Sequence, residues 1–403
     1  MNVSRIDSQT VSVSSPHEIH GLLSGCVANR RSAVTVNADI LQTYDYRSIP
    51  TAARIDLSRM APVYVSQAEK IARLGPGARY SSLLEEAEKA GMMPEFEPVL
   101  GIDFTMSDWA HESLRMISTS RSGLDGVIRN VKAIAPRSSF QTGFDTTPAN
   151  GGGYDLTKLF MTSSVLLGVP YEFSVPLRPI PESRSSAEYS FDDLENAINA
   201  GVEIHRSGLA AAIDLSDNGL LQVIRGAEGK TSKGLLVRIR MEGSQTTVDS
   251  SEKLVSEIAN KHGGKSDGSD LSETKLISPE DVSDNAVILG ICICDTPSVV
   301  GLVKRLSKGL SKSKTSLQFS IPDLSPNTCT VVPIAVGKDA ANLTGQIGQL
   351  LSNTRIPLRG NRSWNPLLGD SDAFQRRELI TGIKMYLDPS MILNPQVLME
   401  AVQ

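Results

Sequence analysis

The run LLGVPYEFSVPLR at 166–178 alternates apolar and polar positions as a strand does, then meets the proline-rich PLRPIPES at 176–183. Proline has no N–H for a ladder and pushes the preceding residue out of the helical region, so regular structure stops there. The chain therefore divides, with a second unit starting near Ser186. Its 403 residues allow about two or three domains. With 40% hydrophobic and 21% charged residues each can build a core, which excludes disordered and collagen-like classes.

In the first unit, Ser15, Pro16 and Glu18 form a capping box that predicts a helix with Ile19, Leu22, Leu23, Cys26 and Val27 on one face. His17 and His20 then lie outside. Strands are expected at Ala33–Val36, around Arg54–Met60 and at Lys70–Leu74, the last stopped by Gly75-Pro76-Gly77 before a helix over Ser81–Ala90. In the second unit, Val237, Ile239 and Met241 oppose Arg238 and Arg240, the pattern of a half-buried strand. A helix from about Ser251 is expected to turn Leu254, Val255 and Ile258 inward. Residues 263–285 read as an exposed loop and Asn285–Cys294 as one buried strand. Asp295 or Thr296 then caps a helix with Val299, Val303 and Leu306 on one side. A final helix covers Ala373–Leu387. This order predicts a sheet with helices on one side.

A formal charge of −5 offers no field for a phosphate backbone, so nucleic acid is not an expected partner. No apolar window reaches the roughly 18 residues of a membrane span. Cys26, Cys292, Cys294 and Cys329 contain no CxxC pair, which favours reduced, buried thiols and a cytoplasmic setting. The five histidines are scattered without ligand spacing, and no metal site is expected. There is no GxSxG elbow and no GxxxxGK[ST] loop. Lys304, Arg305, Lys308, Lys312 and Lys314 form the solvated side of an amphipathic helix.

Two segments carry more. One is YDLTKLF at 154–160 followed by SSVLLGV at 163–169; the other is IKMYLDP at 383–389 followed by MILNP at 391–395. Together they resemble the FAD-linked oxidases of the vanillyl-alcohol-oxidase type, the group that includes glycolate and D-lactate dehydrogenases. Ile55–Met60, Leu74–Gly77 and 235–264 resemble further family segments. The resemblance implies an α+β fold: a two-part FAD-binding domain, residues 1–183 and 366–403, with an inserted sheet-plus-helix cap at 184–365. It also implies non-covalent FAD, a small 2-hydroxy acid as substrate, and electrons passed to a partner subunit or carrier of iron-sulfur type.

By position, the resemblance assigns the cofactor to Asn37, Ala38, Asp39, Ile40 and Leu41, to Thr105, Ser107 and Asp108, to Ser122 and Gly123, and to Tyr154, Asp155, Gly168, Val169 and Asn394. Glycine suits position 168, where a nucleotide approaching the backbone leaves no room for a Cβ. The pyrophosphate loop departs from the family pattern: no glycine occurs in Asn37–Gln42, and Asp39 adds a carboxylate. Thr105–Asp108 likewise replaces the family's TvGG, and Asp108 adds another acid. Either acid opposes a bound pyrophosphate. The cap lacks the family's metal signatures, as does the smaller flavin-binding subunit type. Arg359 and Arg362 are the candidates to pair a substrate carboxylate bidentately. His111 and His205 are the histidines considered as a base. The alternative is a non-catalytic subunit that keeps this fold without FAD.

Overall fold

The computed structural model describes residues 4–5, 10–36, 51–112, 117–118, 127–143, 156–161, 163, 165–224, 234–266, 276–278, 281–282, 286–288, 291–310, 316–337, 358–359 and 371–395. The first sheet comprises β1 (Ser4–Arg5), β2 (Thr10–Ser12), β3 (Ala33–Thr35) and β4 (Ala53–Asp56), in the order β1-β2-β4-β3. Its central pairings, β2 with β4 and β3 with β4, are parallel. Helix α1 (Pro16–Ala28) starts at Ser15, whose hydroxyl accepts the Glu18 N–H, and packs Ile19, Leu23 and Cys26 against Val13, Ile55 and Leu393. β4 stops short of the expected Met60 because the Asp56 carboxylate turns back to accept the Ser58 N–H at 2.9 Å.

The second sheet is antiparallel, in the order β11-β10-β12-β6-β5, from β5 (Val63–Ser66), β6 (Ile71–Leu74), β10 (Asn130–Ile134), β11 (Ser139–Gln141) and β12 (Val169–Pro179), with β7 (Met92–Pro94) on β12. Strands β8 (Phe96–Glu97) and β9 (Ile117–Ser118) pair separately. Helix α2 (Tyr80–Lys89) follows the Gly-Pro-Gly turn. A Cβ at Gly77 would sit 2.4 Å from the Ser58 carbonyl, so this turn needs glycine to pass the neighbouring backbone. Helices α3 (Met106–Glu112) and α4 (Thr157–Met161) complete this layer.

Among the described residues, nine strands within 183–359 form the third sheet: β13 (Ser183–Phe191), β14 (Ala212–Asp217), β15 (Leu235–Gly243), β16 (Lys265–Ser266), β17 (Ala286–Ile288), β18 (Ile291–Asp295), β19 (Ser316–Leu324), β20 (Thr328–Val336) and β21 (Leu358–Arg359). Helices α5 (Leu194–Ser207), α7 (Gln245–Lys261) and α8 (Val299–Leu310) cover one face, on Val237, Ile239, Met241 and their neighbours, while α6 (Leu220–Ile224) joins the core of the second sheet. At the β17–β20 end the opposite face is covered too, with Ile288, Val332 and Ile334 packed on Leu100 and Ile102. The C-terminal helix runs Ser371–Leu387.

Two expectations change here. α7 begins at Gln245, because Ser244 caps it by accepting the Thr247 N–H and Val248 is buried, which overrides the poor helix propensity of Thr246, Thr247 and Val248. Its buried stripe is Val248, Ser251, Val255 and Ala259, leaving Leu254 46% exposed. The apolar run 285–294 is two strands, β17 and β18, both on β20.

At the end of β14, the Asp217 carboxylate accepts the Phe319 N–H at 2.7 Å, and burial pushes its pKa from 3.8 up to about 6. A pKa raised by folding stabilises fully below the unfolded value and loses that contribution as pH rises through the folded one. Wild type is therefore expected to lose up to about 3 kcal/mol from this group between about pH 4 and pH 6.5. Asp217→Asn should flatten that part of the profile; thermal midpoints across the window check it, and equal slopes in both proteins would refute the assignment.

Candidate active site

A cavity of about 1130 Å³ lies between the third sheet and the α2 side of the molecule. The period-two alternation of the sheet builds its floor. Register places Ser186 beside Arg240, Glu188 beside Arg238, and Asp214 on the other side of Arg238. The opposite wall carries Tyr80, Ser81, Glu97, Leu100 and Asp103. Asp103 is held rigidly, its carboxylate accepting the Ser81 N–H at 2.8 Å and the Ser81 hydroxyl at 2.7 Å.

Most charges here are paired. Arg238 donates to Glu188 at 2.8 Å, and Arg178 meets Glu242 at 2.7 Å. Arg240 differs: one terminal nitrogen pairs with Glu97, Asp214 stands 3.7 Å from the other, and neither Nε nor Nη2 has a hydrogen-bond acceptor among the described residues. Burial works against its charge, while Tyr80 and Glu242 support it. Nε and Nη2 form the edge with which a guanidinium takes a carboxylate bidentately, and leaving such donors buried without an acceptor is costly.

The first turn of α3 is fully committed. The Thr105 N–H and hydroxyl donate to Asp108 Oδ2 at 2.9 and 2.8 Å, and the Asp108 N–H donates to Thr105 Oγ1 at 3.1 Å, closing a capping box. The Met106 and Ser107 N–H groups donate to the Ala78 and Pro76 carbonyls at 3.0 and 2.8 Å. The Ser107 hydroxyl is buried and has no hydrogen-bond partner among the described residues.

Behind α3, His111 is fully engaged. Its Nδ1 contacts the Ser107 carbonyl at 2.7 Å and its Nε2 the Thr35 hydroxyl at 2.5 Å, and burial lowers its pKa, so it rests neutral with Nδ1 as donor. Asn394 joins the same knot: Oδ1 accepts the Thr35 N–H at 3.0 Å and Nδ2 donates to the Val165 carbonyl at 3.0 Å. It does so at φ +46, a conformation asparagine tolerates better than other non-glycine residues. Lys384, wholly buried, donates to the Leu166 and Leu393 carbonyls at 2.8 and 2.7 Å and pairs with Asp388 at 2.8 Å. The Asp388 carboxylate also accepts the Leu393 N–H at 2.8 Å. The two sequence segments at 154–169 and 383–395 thus meet in space.

Residues 180–276 match the family described as FAD linked oxidases, C-terminal domain. Over that stretch, within the cap sheet, the chain is similar to the FAD-linked oxidases. Across 213 residues it is 24% identical to the mitochondrial D-lactate dehydrogenase [cytochrome] of Arabidopsis thaliana, covering 52% of this chain and 37% of that protein. The match therefore spans little more than a third of the curated relative. Among solved structures, 4-ethylphenol oxidase from Gulosibacter chungangensis aligns with a TM-score of 0.76 at 13% identity, over 96% of this chain and 88% of that one. p-Cresol methylhydroxylase aligns with a TM-score of 0.73 at 12% identity, over 95% and 87%. The fold is the α+β vanillyl-alcohol-oxidase type.

FAD is the cofactor of this family. Among the described residues, the first turn of α3 does not fit a pyrophosphate: its amides already have acceptors, and the Asp108 carboxylate occupies the positive end of the helix. The space a Cβ would need at Gly168 is filled by Phe140 and Ala133, 3.1 and 3.2 Å away, so protein packing accounts for that glycine. Val169 is buried in β12 opposite Ile134. Asn37, Ala38, Asp39, Ile40, Leu41, Ser122, Gly123, Tyr154, Asp155 and Arg362 lie outside the described residues. Arg359 belongs to β21, at the end of the sheet remote from β15. His205 is exposed on α5, on the helix-covered side.

Arg240 was visible in the sequence only as the polar side of a half-buried strand. Two arginines at alternate positions facing one way were the available signal; what covers them depends on the long-range register. Among the described residues no helix is long and apolar enough to cross a membrane, and no group of three His, Cys, Asp or Glu side chains is placed to hold a metal.

Proposed function

We propose that this FAD-linked oxidase family member is a dehydrogenase of a small 2-hydroxy acid, of the D-lactate or glycolate type, passing electrons to a partner subunit or carrier. The observation that carries the reading is Arg240, a cavity-lining arginine whose buried Nε and Nη2 have no hydrogen-bond acceptor among the described residues. FAD, when bound, supplies the hydride acceptor. Arg240 takes the substrate carboxylate, Glu97 holds the guanidinium at Nη1, Asp214 stands 3.7 Å from Nη2, and the apolar Leu100 helps to close the wall against water. An iron-sulfur type of acceptor and a cytoplasmic setting belong to the same reading.

The closed capping box of α3 favours a second reading, a subunit that keeps the fold without FAD and serves assembly. A visible spectrum of the purified protein, followed by FAD titration and assay with D-lactate or glycolate and an artificial acceptor, separates them. The dehydrogenase reading expects flavin bands, or their appearance on titration, and bleaching by the hydroxy acid. A colourless protein that takes up no FAD would establish the second reading instead.

A further inference from the structure

We infer that Cys294 and Cys329 form a reversible, peroxide-sensitive disulfide site in the cap sheet. They are directly opposed on the antiparallel strands β18 and β20, with Sγ atoms 3.7 Å apart. Opposed residues of such a pair have Cα atoms about 4.5–5.5 Å apart, inside the 4.4–6.8 Å a disulfide spans, so closure needs side-chain rotation and little backbone movement. Neither is in a disulfide, and both are buried on the helix-covered face in the cluster that contains Val299 and Leu302 of α8.

Position makes this pair reachable by a small oxidant. Cys294 is followed by exposed Asp295, and Cys329 is preceded by exposed Asn327 and Thr328, so the pair sits at the end of its strands. Cys294 is the more reactive: its contact with the Cys329 thiol holds its pKa below the ordinary value, whereas burial pushes Cys292 up to about 12. Cys292 opposes Val331 and has no thiol across the ladder.

The chemistry balances with hydrogen peroxide as oxidant. The Cys294 thiolate attacks one peroxide oxygen, the O–O bond breaks, and after proton uptake by the leaving oxygen the products are a sulfenic acid and water. Cys329 then loses its proton and attacks Cys294 Sγ, forming the S–S bond and expelling the second oxygen as water. Two thiols and one peroxide give one disulfide and two waters. A thiol reductant reverses it.

The test uses the native full chain. After brief peroxide treatment the protein is denatured in excess alkylating agent so that every remaining thiol reacts, then digested without reductant, and peptides are identified by mass spectrometry. Expected are a Cys294–Cys329 linked peptide that dithiothreitol releases, and alkylated Cys26 and Cys292. Linkage through Cys292, oxidation of Cys294 without linkage, or four alkylated thiols would each overturn the inference. Cys329→Ser, checked for folding by circular dichroism, should leave Cys294 as a sulfenic acid that dimedone traps; loss of two thiols in that variant would also overturn it.

Discussion

Arg240→Met is expected to lower kcat/KM for a 2-hydroxy acid by about 10²–10³-fold, since removing one partner of a buried, hydrogen-bonded charge pair costs about 2–5 kcal/mol. The loss should fall mainly on the substrate that carries a carboxylate. The corresponding hydroxy amide, which has no carboxylate to hold, should differ little between wild type and variant. Arg240→Lys keeps the charge and loses the two-pronged edge, so it should recover only part of the rate. Steady-state kinetics of the three proteins with acid and amide decide it. Equal losses on both substrates would assign Arg240 to the support of Glu97 and Asp214 and would remove it from substrate recognition.

Lys384→Met is expected to destabilise the protein by about 3–5 kcal/mol, on the order of 10 °C in thermal midpoint, because it leaves the Asp388 carboxylate buried without its cation. Lys384 and Asp388 are both fully buried, and the ammonium has three acceptors, the Leu166 and Leu393 carbonyls and Asp388 Oδ2. Burial lowers the lysine pKa to about 8 against the pull of Asp388, which leaves it charged at neutral pH. Removing both charges together in Lys384→Met with Asp388→Leu should restore much of the loss, since a well-packed apolar pair can replace a buried ion pair at little cost. Thermal melts of the single and double variants check this. A double variant as unstable as the single one would place the cost in the lost carbonyl contacts instead of the uncompensated charge.

Local signals in the sequence were sufficient for the elements with local causes. Ser15 and Pro16 mark α1, and the alternation around Arg238 and Arg240 marks β15, because caps and period-two patterning act within a few residues. The start of α7 was misplaced because β-branched residues stand in its first turn and the burial of Val248 is a tertiary fact. The family resemblance rested on two segments whose physical content emerges only in space: Lys384 reaching the Leu166 carbonyl, and Asn394 reaching Val165. Substrate-site arginines were sought at Arg359 and Arg362, yet the register places Arg240 in the cavity wall, a placement that depends on strands paired across dozens of residues. Asp108 was visible in the sequence as an added acid; that its carboxylate caps its own helix, and so takes the positive end of α3, emerges only from the structure.

The knot of Thr35 and Asn394 joins residues 359 positions apart in the chain. A ribosome delivers them in that order, so β3 can pair with β4 on one edge while its other edge waits until the entire third sheet is made. During that interval Ala33 lacks the Ile392 and Asn394 backbone partners that later flank it. The third sheet, whose strands are contiguous in the sequence, can close first, and the β3 edge of the first sheet is sealed only when Ile392–Asn394 arrive. Such long-separated contacts slow folding and leave an unpaired strand edge exposed in the meantime. The nascent chain is therefore vulnerable to mispairing at β3, and the closure of that edge is timed by the arrival of Ile392–Asn394.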